Sequence, residues 1–336
     1  MKKLKRIFAV FFCLLLAAGI LGGCGKAESS SISASSASQS GSKPLKIVTT
    51  IFPEYDWVRE ILGDKADHAE VTMLLDNGVD LHSYQPTADD IIKISDCDLF
   101  LYVGGESDGW VEDALKEATN QNMKVINLLD VLGEQVKEEE VVEGMEAEEE
   151  ESEDENEPEY DEHVWLSLKN AETLCNAITD ALEEIDPANK DAYATNAASY
   201  LEKLAALDGE YQTVVDNAAR KTVLFGDRFP FRYLTDDYGL SYYAAFAGCS
   251  AETEASFETI SFLAGKVDEL GLPCVLTIEG AQHKIAETIV QNTAEKNPSI
   301  LTLDSMQSTT STDVANGTTY LSVMESNLDV LKQALN

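Results

Sequence analysis

Of the four histidines in this 336-residue chain, two stand where an imidazole could help to hold a cation. His82 lies in Val79-Asp80-Leu81-His82-Ser83-Tyr84-Gln85-Pro86-Thr87. His163 closes an acid-rich run, residues 134–162, that carries 17 Asp or Glu against one lysine, Lys137. Glu279, in Thr277-Ile278-Glu279-Gly280, offers a carboxylate, and His283 follows four residues later. Asp227 and Arg228 form a further charged pair. Imidazole nitrogens with a carboxylate oxygen suit zinc, and a larger share of oxygen ligands suits manganese. Spacing alone settles none of this. A Glu-rich run fits solvated, unstructured chain as well as it fits a weak collector of cations.

The elements that must position these residues can be read from hydrophobic patterning. β-Branched or apolar runs at 46–51, 69–75, 99–103 and 123–129 read as strands, with helical spacing at 55–62, 87–95 and 111–119. The alternation repeats later, with strands at 222–226, 241–246, 274–279 and 300–303 and helices at 231–237, 256–270, 285–292 and 321–335. Strands alternating with helices give an open parallel sheet covered on both faces, here twice. Between the two halves a helix is expected from about Ser167 to Ile185. A longer one follows over 188–219, about 50 Å at ~1.5 Å per residue, which reads as a beam joining two lobes.

In open parallel sheets ligands bind beyond the carboxyl ends of the strands. His82, His163, Asp227-Arg228 and Glu279 all follow strands in that sense, so they fall on the side where two lobes would face each other. His68 precedes its strand and reads as a surface residue. His283 could point either way. No His-Glu-x-x-His pattern occurs, and no motif pairs an open metal position with a general base, so an enzyme is not expected.

A formal charge of −37 argues against nucleic acid and for attraction of cations, and 44% apolar content supports a sizeable core. The first residues carry a basic head, an apolar stretch from Ile7 to Ile20, and Leu21-Gly22-Gly23-Cys24. They read as an export signal too short to span a bilayer comfortably. A Ser-rich stretch follows and reads as a flexible tether. Export permits disulfides; Cys249–Cys274 is the first pair to consider, although free buried thiols are favoured.

Leu21-Gly22-Gly23-Cys24 resembles a bacterial lipobox, which implies lipidation of Cys24 and anchorage at the outer face of the cell membrane. The chain as a whole resembles the solute-binding lipoproteins of zinc and manganese ABC transporters. Asp80 to Ile91 is similar to that family's first ligand motif, Asp161 to Leu168 to its second, with Leu168 where proline is usual, and Thr277 to Ile289 to its carboxylate-bearing segment. The resemblance implies an α/β protein of two Rossmann-like lobes, each with a parallel four-stranded sheet, joined by one rigid helix. It implies a zinc ion, or next manganese, held by His82, His163 and Glu279 and delivered to an ABC permease. The protein would be a monomer that catalyses nothing. Arg228 stands where the family usually places a third ligand; a guanidinium has no lone pair to give. Asp227 is one substitute and a water or a carboxylate of the acidic insert another, and Arg228 would instead pair with Glu279 or Asp227. The alternatives are a surface adhesin on the same scaffold and a binder of a chelated metal such as haem or a siderophore.

The expected layout is therefore a signal peptide over 1–23, a tether over 24–44, an N-terminal lobe over 45–166 with the acidic insert at 134–162, connecting helices over 167–220, and a C-terminal lobe over 221–336.

Overall fold

Among the described residues, eight short strands form where the β-branched runs predict them. In the computed structural model, residues 43–146, 159–250, 254–280 and 283–336 are described; the expected signal, Cys24 and nearly all of the tether lie outside them. The first sheet holds β1 (Leu45–Thr49), β2 (Ala69–Met73), β3 (Leu99–Tyr102) and β4 (Lys124–Asn127) in the order β2-β1-β3-β4. The second holds β5 (Thr222–Phe229), β6 (Ser241–Ala247), β7 (Cys274–Thr277) and β8 (Ser299–Thr302) in the order β6-β5-β7-β8. All neighbours are parallel. The central strands β1, β3, β5 and β7 are largely buried, as a sheet covered on both faces requires.

Helices α1 (Phe52–Leu62), α2 (Ala88–Ser95), α3 (Val111–Lys116) and α4 (Leu128–Leu132) belong to the first lobe. α2 begins where Thr87 and Asp90 form a reciprocal capping box. α5 (Leu168–Ile185) starts on Ser167, whose hydroxyl accepts from Asn170 N. Leu168 is thus the first helical residue, a position that tolerates proline or leucine equally, so its departure from the family pattern leaves the helix start unchanged. The beam is α6 (Lys190–Asn217), 28 residues or about 42 Å long. α7 (Arg232–Tyr238), α8 (Phe257–Leu270), α9 (Lys284–Asn292), α10 (Ser311–Ala315) and α11 (Tyr320–Ala334) follow.

One apolar core runs without a break from the first sheet through α5 and α6 into the second lobe, while a smaller cluster lies under α8 and α9. The last helix packs on β7 and β8 of its own lobe and also beyond it. Although it follows the C-terminal lobe in sequence, α11 crosses back to the first lobe and the beam. Tyr320 N donates to Asp56 Oδ2 (2.9 Å), its hydroxyl donates to Trp165 O (2.7 Å), and Tyr211 Oη donates to Met324 O (2.6 Å). A close-packed core shared by both lobes opposes a wide hinge between them.

The acidic insert also differs from expectation. Its flanks are docked chain, because their side chains find partners on the second lobe. Glu138 and Tyr160 form an antiparallel bridge, and Glu146 N donates to Ala245 O (3.0 Å) beside β6. Glu140 accepts from Arg232 and from Tyr242 Oη, and Lys137 pairs with Asp236 at 2.8 Å. The densest acids, at 147–158, lie outside the described residues. Cys97, Cys175, Cys249 and Cys274 are all free, so the Cys249–Cys274 disulfide does not form. No helix among the described residues is long and apolar enough to cross a membrane.

Candidate metal centre

Both histidines reach one point from separate turns. Asp80 Oδ1 accepts from His82 N (3.0 Å) and shapes the single turn that presents His82 after β2. Asp161 Oδ1 accepts from His163 N (2.9 Å) and so sets the entry to the turn before α5. The two rings meet with their Nε2 atoms 3.2 Å apart. Behind them, His163 Nδ1 lies 3.0 Å from Asp161 Oδ1. His82 Nδ1 lies 2.8 Å from Ser107 Oγ and 3.5 Å from Glu162 Oε2. A carboxylate only accepts, so the hydrogen of His163 sits on Nδ1 and the Nε2 lone pair points at His82. Ring orientation by a carboxylate on the far nitrogen is the usual support of a metal-bound imidazole.

His163 is fully buried, and Asp161 and Glu162 nearly so. Burial, and then neighbouring His163, push the His82 imidazole down to about 3. Burial is the largest influence on His163 and opposes its charge, but the Asp161, Glu162 and Asp80 carboxylates together outweigh it and raise that imidazole. Two imidazoles converging this closely, with Cys249 beside them, could hold a cation. Burial raises Glu162, whose Oε2 has no hydrogen-bond partner.

Two glycines make this packing possible. A Cβ on Gly248 would lie 2.9 Å from Phe229 O and 3.0 Å from His163 Cε1, so only glycine lets the chain after β6 pass against the ring. Gly105 has φ +80°, and a Cβ there would meet Glu162 Oε1 at 2.2 Å.

The approach of that chain brings in Cys249, a residue with no partner at ligand spacing in the sequence. Its sulfur and one nitrogen from each of His82 and His163 all lie within 4.8 Å of one another. A cavity of about 280 Å³ adjoins the group and is lined by His82, Glu106, Ser107, Glu159, Tyr160, Glu162 and Cys249. Its carboxylates have the wrong sign for an anionic metal chelate such as a haem. The carboxyl-end rule places Cys249, after β6, on the ligand side, but nothing in the sequence sets it against the two histidines.

Glu279, Asp227 and His283 are not part of this group of three, and Arg228 is engaged elsewhere. The Glu279 carboxylate is fully engaged by the segment after β8, accepting from Ser305 N (2.6 Å), Ser305 Oγ (2.9 Å) and Gln307 N (2.9 Å). Ser305 O in turn accepts from Trp165 Nε1 (2.9 Å), and the Trp165 ring packs on His163 with centroids 5.3 Å apart. Glu279 thus braces the 305–308 segment, whose Ser305 carbonyl holds the Trp165 indole. Asp227 accepts from Arg228 N (2.9 Å) and Ile278 N (3.3 Å), which turns it into the strand ends. His283 precedes α9 outside the group, with Nδ1 buried and lacking a hydrogen-bond partner. Arg228 pairs with neither Glu279 nor Asp227. Its Nη2 reaches Asp80 Oδ2 at 2.6 Å, an ion pair from the second lobe to the turn that carries His82. His68 is exposed at the opposite end of its strand, as expected.

Two α/β lobes joined by a long helix, with a buried imidazole pair presented at strand ends, place the chain in the class of two-lobed binding-protein folds with a candidate cation site. Residues 47–334 match the family described as the periplasmic component A of zinc-uptake complexes, and the chain belongs to that family. It is 33% identical over 290 residues to the zinc-binding lipoprotein AdcA of Streptococcus pneumoniae, covering 86% of this chain and 55% of the relative. It is 32% identical over 337 residues to the high-affinity zinc uptake system protein ZnuA of Bacillus subtilis, covering 99% of this chain and 98% of the relative. The chain thus spans about half the length of the streptococcal relatives and nearly all of the Bacillus one. Among solved structures, the Zn(II)-bound ZnuA-like domain of S. pneumoniae AdcA superposes with a TM-score of 0.67 at 30% identity, covering 87% of this chain and 98% of that one. The metal-dependent lipoprotein YcdH of B. subtilis gives 0.69 at 28% identity, covering 87% and 99%. These likenesses bear out the expected two-lobed α/β fold, and the relatives are transport proteins rather than enzymes.

Proposed function

We propose that this chain is an extracytoplasmic solute-binding protein that captures one zinc ion between His82 and His163 and hands it to an ABC permease. The observation that carries the reading is the 3.2 Å separation of the two Nε2 atoms, each on a ring held from behind. Tetrahedral zinc with Zn–N bonds of ~2.0–2.1 Å holds two nitrogens about 3.3–3.4 Å apart, so the rings need almost no movement to chelate it. Manganese, which prefers an oxygen-rich shell, is the second choice for such a nitrogen pair. Names of relatives such as the Bacillus zinc uptake protein support zinc as the cargo.

Glu279 serves as a positioning residue in this reading, through Ser305 and Trp165, rather than as a direct ligand. Anchorage through a lipid on Cys24, the tether, action as a monomer and the permease partnership rest on the family resemblance and the N-terminal sequence. The test is metal content by mass spectrometry after zinc loading and desalting. Wild type is expected to retain one zinc per chain, and His82→Ala and His163→Ala to lose it while remaining folded. A wild-type protein that retains no metal, or two variants that both keep it, would contradict the proposal. Transfer is tested by growth on limiting zinc of cells lacking this chain; rescue by wild type but not by His163→Ala is expected.

A further inference from the structure

We propose that Cys249 is the third zinc ligand of this chain, binding as a thiolate beside His82 Nε2 and His163 Nε2. The inference rests on the proposed metal-binding role and goes beyond it by naming a sulfur donor and the selectivity that sulfur confers.

Three observations point the same way. The first is geometric: Cys249 Sγ and the imidazole nitrogens lie within 4.8 Å of one another, the one such group of three or more ligating residues among the described residues. A zinc with Zn–S of ~2.3 Å and Zn–N of ~2.0–2.1 Å needs S···N separations of about 3.6 Å, so a contraction of roughly 1 Å closes the set. The second is the chain path. Gly248 holds the backbone against the His163 ring, where a Cβ would sit 3.0 Å from Cε1, and this places the next residue beside both imidazoles. Cys249 N donates to Glu139 Oε1 (3.0 Å), so the docked flank of the acidic insert secures the same turn. The third is a vacancy of function. Arg228, at the position the resemblance assigns to the third ligand, is committed to Asp80 and cannot coordinate.

The cavity beside the group carries a second sign of a ligand. Glu162 is only 2% exposed, yet its Oε2 lacks a hydrogen-bond partner and faces His82 Nδ1 at 3.5 Å. A buried carboxylate oxygen left in this way is costly unless something positive forms beside it. A positive charge held at the imidazole pair would lie beside this carboxylate, while Ser107 Oγ, 2.8 Å from His82 Nδ1, steadies the ring. Coordination releases the thiol proton to solvent, so the bound set is two neutral imidazoles and one thiolate. The 280 Å³ cavity lined by His82 and Cys249 would leave a fourth position open to a water. A soft sulfur donor favours zinc over manganese, which has little affinity for thiolate.

The test uses the full chain under a non-thiol reductant, loaded with one equivalent of Co(II), together with Cys249→Ser and Cys249→Ala. Wild type is expected to show the near-ultraviolet thiolate-to-cobalt charge-transfer band, and both variants to lack it while still taking up cobalt through the histidine pair. Competition with a chromophoric chelator is expected to show zinc affinity lowered at least about 100-fold in both variants. Manganese affinity should move far less, so the zinc-to-manganese preference collapses. If the wild type binds cobalt one to one through His82 and His163 without that band, and Cys249→Ala keeps its zinc affinity, the sulfur assignment is overturned while the metal-binding reading stands. If the wild type takes up neither cobalt nor zinc, both are overturned.

Discussion

The Arg228–Asp80 pair joins the second lobe to the turn that presents His82, and removing it should loosen both the fold and the site. Its atoms are 2.6 Å apart, and the side chains are 19% and 24% exposed. Burial opposes charge on Asp80, but Arg228 outweighs it and holds the carboxyl below its usual range. A charge-assisted hydrogen bond of this kind is worth about 1.5–3 kcal/mol; discounting for the remaining exposure leaves about 1–2 kcal/mol. The clean perturbation is a double-mutant cycle of Asp80→Asn and Arg228→Gln. Asparagine keeps the oxygen that accepts from His82 N, so the turn survives while the charge is removed. Urea unfolding of the four metal-free proteins should give a coupling energy of about 1–2 kcal/mol. If that energy also orders the His82 turn, Arg228→Gln should weaken zinc binding by about 5–30-fold. A coupling within about 0.3 kcal/mol of zero, together with unchanged zinc affinity, would refute the view that Arg228 has exchanged a ligand role for a structural one.

Three further outcomes are expected. Gly248→Ala should displace His163 or the turn before Cys249, costing about 1–3 kcal/mol of stability and at least tenfold in zinc affinity by calorimetric titration; an unchanged affinity would contradict the packing argument. Glu54, fully buried at the start of α1, is pushed up to about 8 by burial and then by Asp108. Its stabilising contribution is therefore complete below the ordinary value of 4.5 and lost as pH rises through about 8, so Glu54→Gln should flatten the fall in melting temperature between about pH 4.5 and 8. Excising 147–158, which spares the docked flanks, should leave the tight site intact and remove weak additional cation binding; an unchanged total stoichiometry would end the idea that the insert gathers metal.

The fold was legible because its signals are local. β-Branched runs such as Lys46-Ile47-Val48-Thr49, the Thr87 and Ser167 caps and the unbroken spacing of α6 each declare their element within a few residues. His82 and His163 were legible because strand ends in a parallel sheet define a ligand side. What the sequence hid depends on long-range pairing. Cys249 has no neighbour at ligand spacing and becomes a candidate only when Gly248 lays its turn on His163. Glu279 follows its strand as expected, yet its oxygens are taken by backbone and side-chain donors at 305–308, which no spacing reveals. Arg228 was recognisable as unable to ligate, but its partner Asp80 lies 148 residues away. The Glu-rich flanks looked like solvated chain because their partners, Arg232, Tyr233 and Tyr242, belong to the other lobe.

Anomalous diffraction at the zinc absorption edge from crystals of the zinc-loaded protein tests the central claim most directly. One peak about 2.0–2.1 Å from both His82 Nε2 and His163 Nε2 is expected. A peak at the Glu279 carboxylate without the two imidazoles, or none in the loaded crystal, would contradict the account.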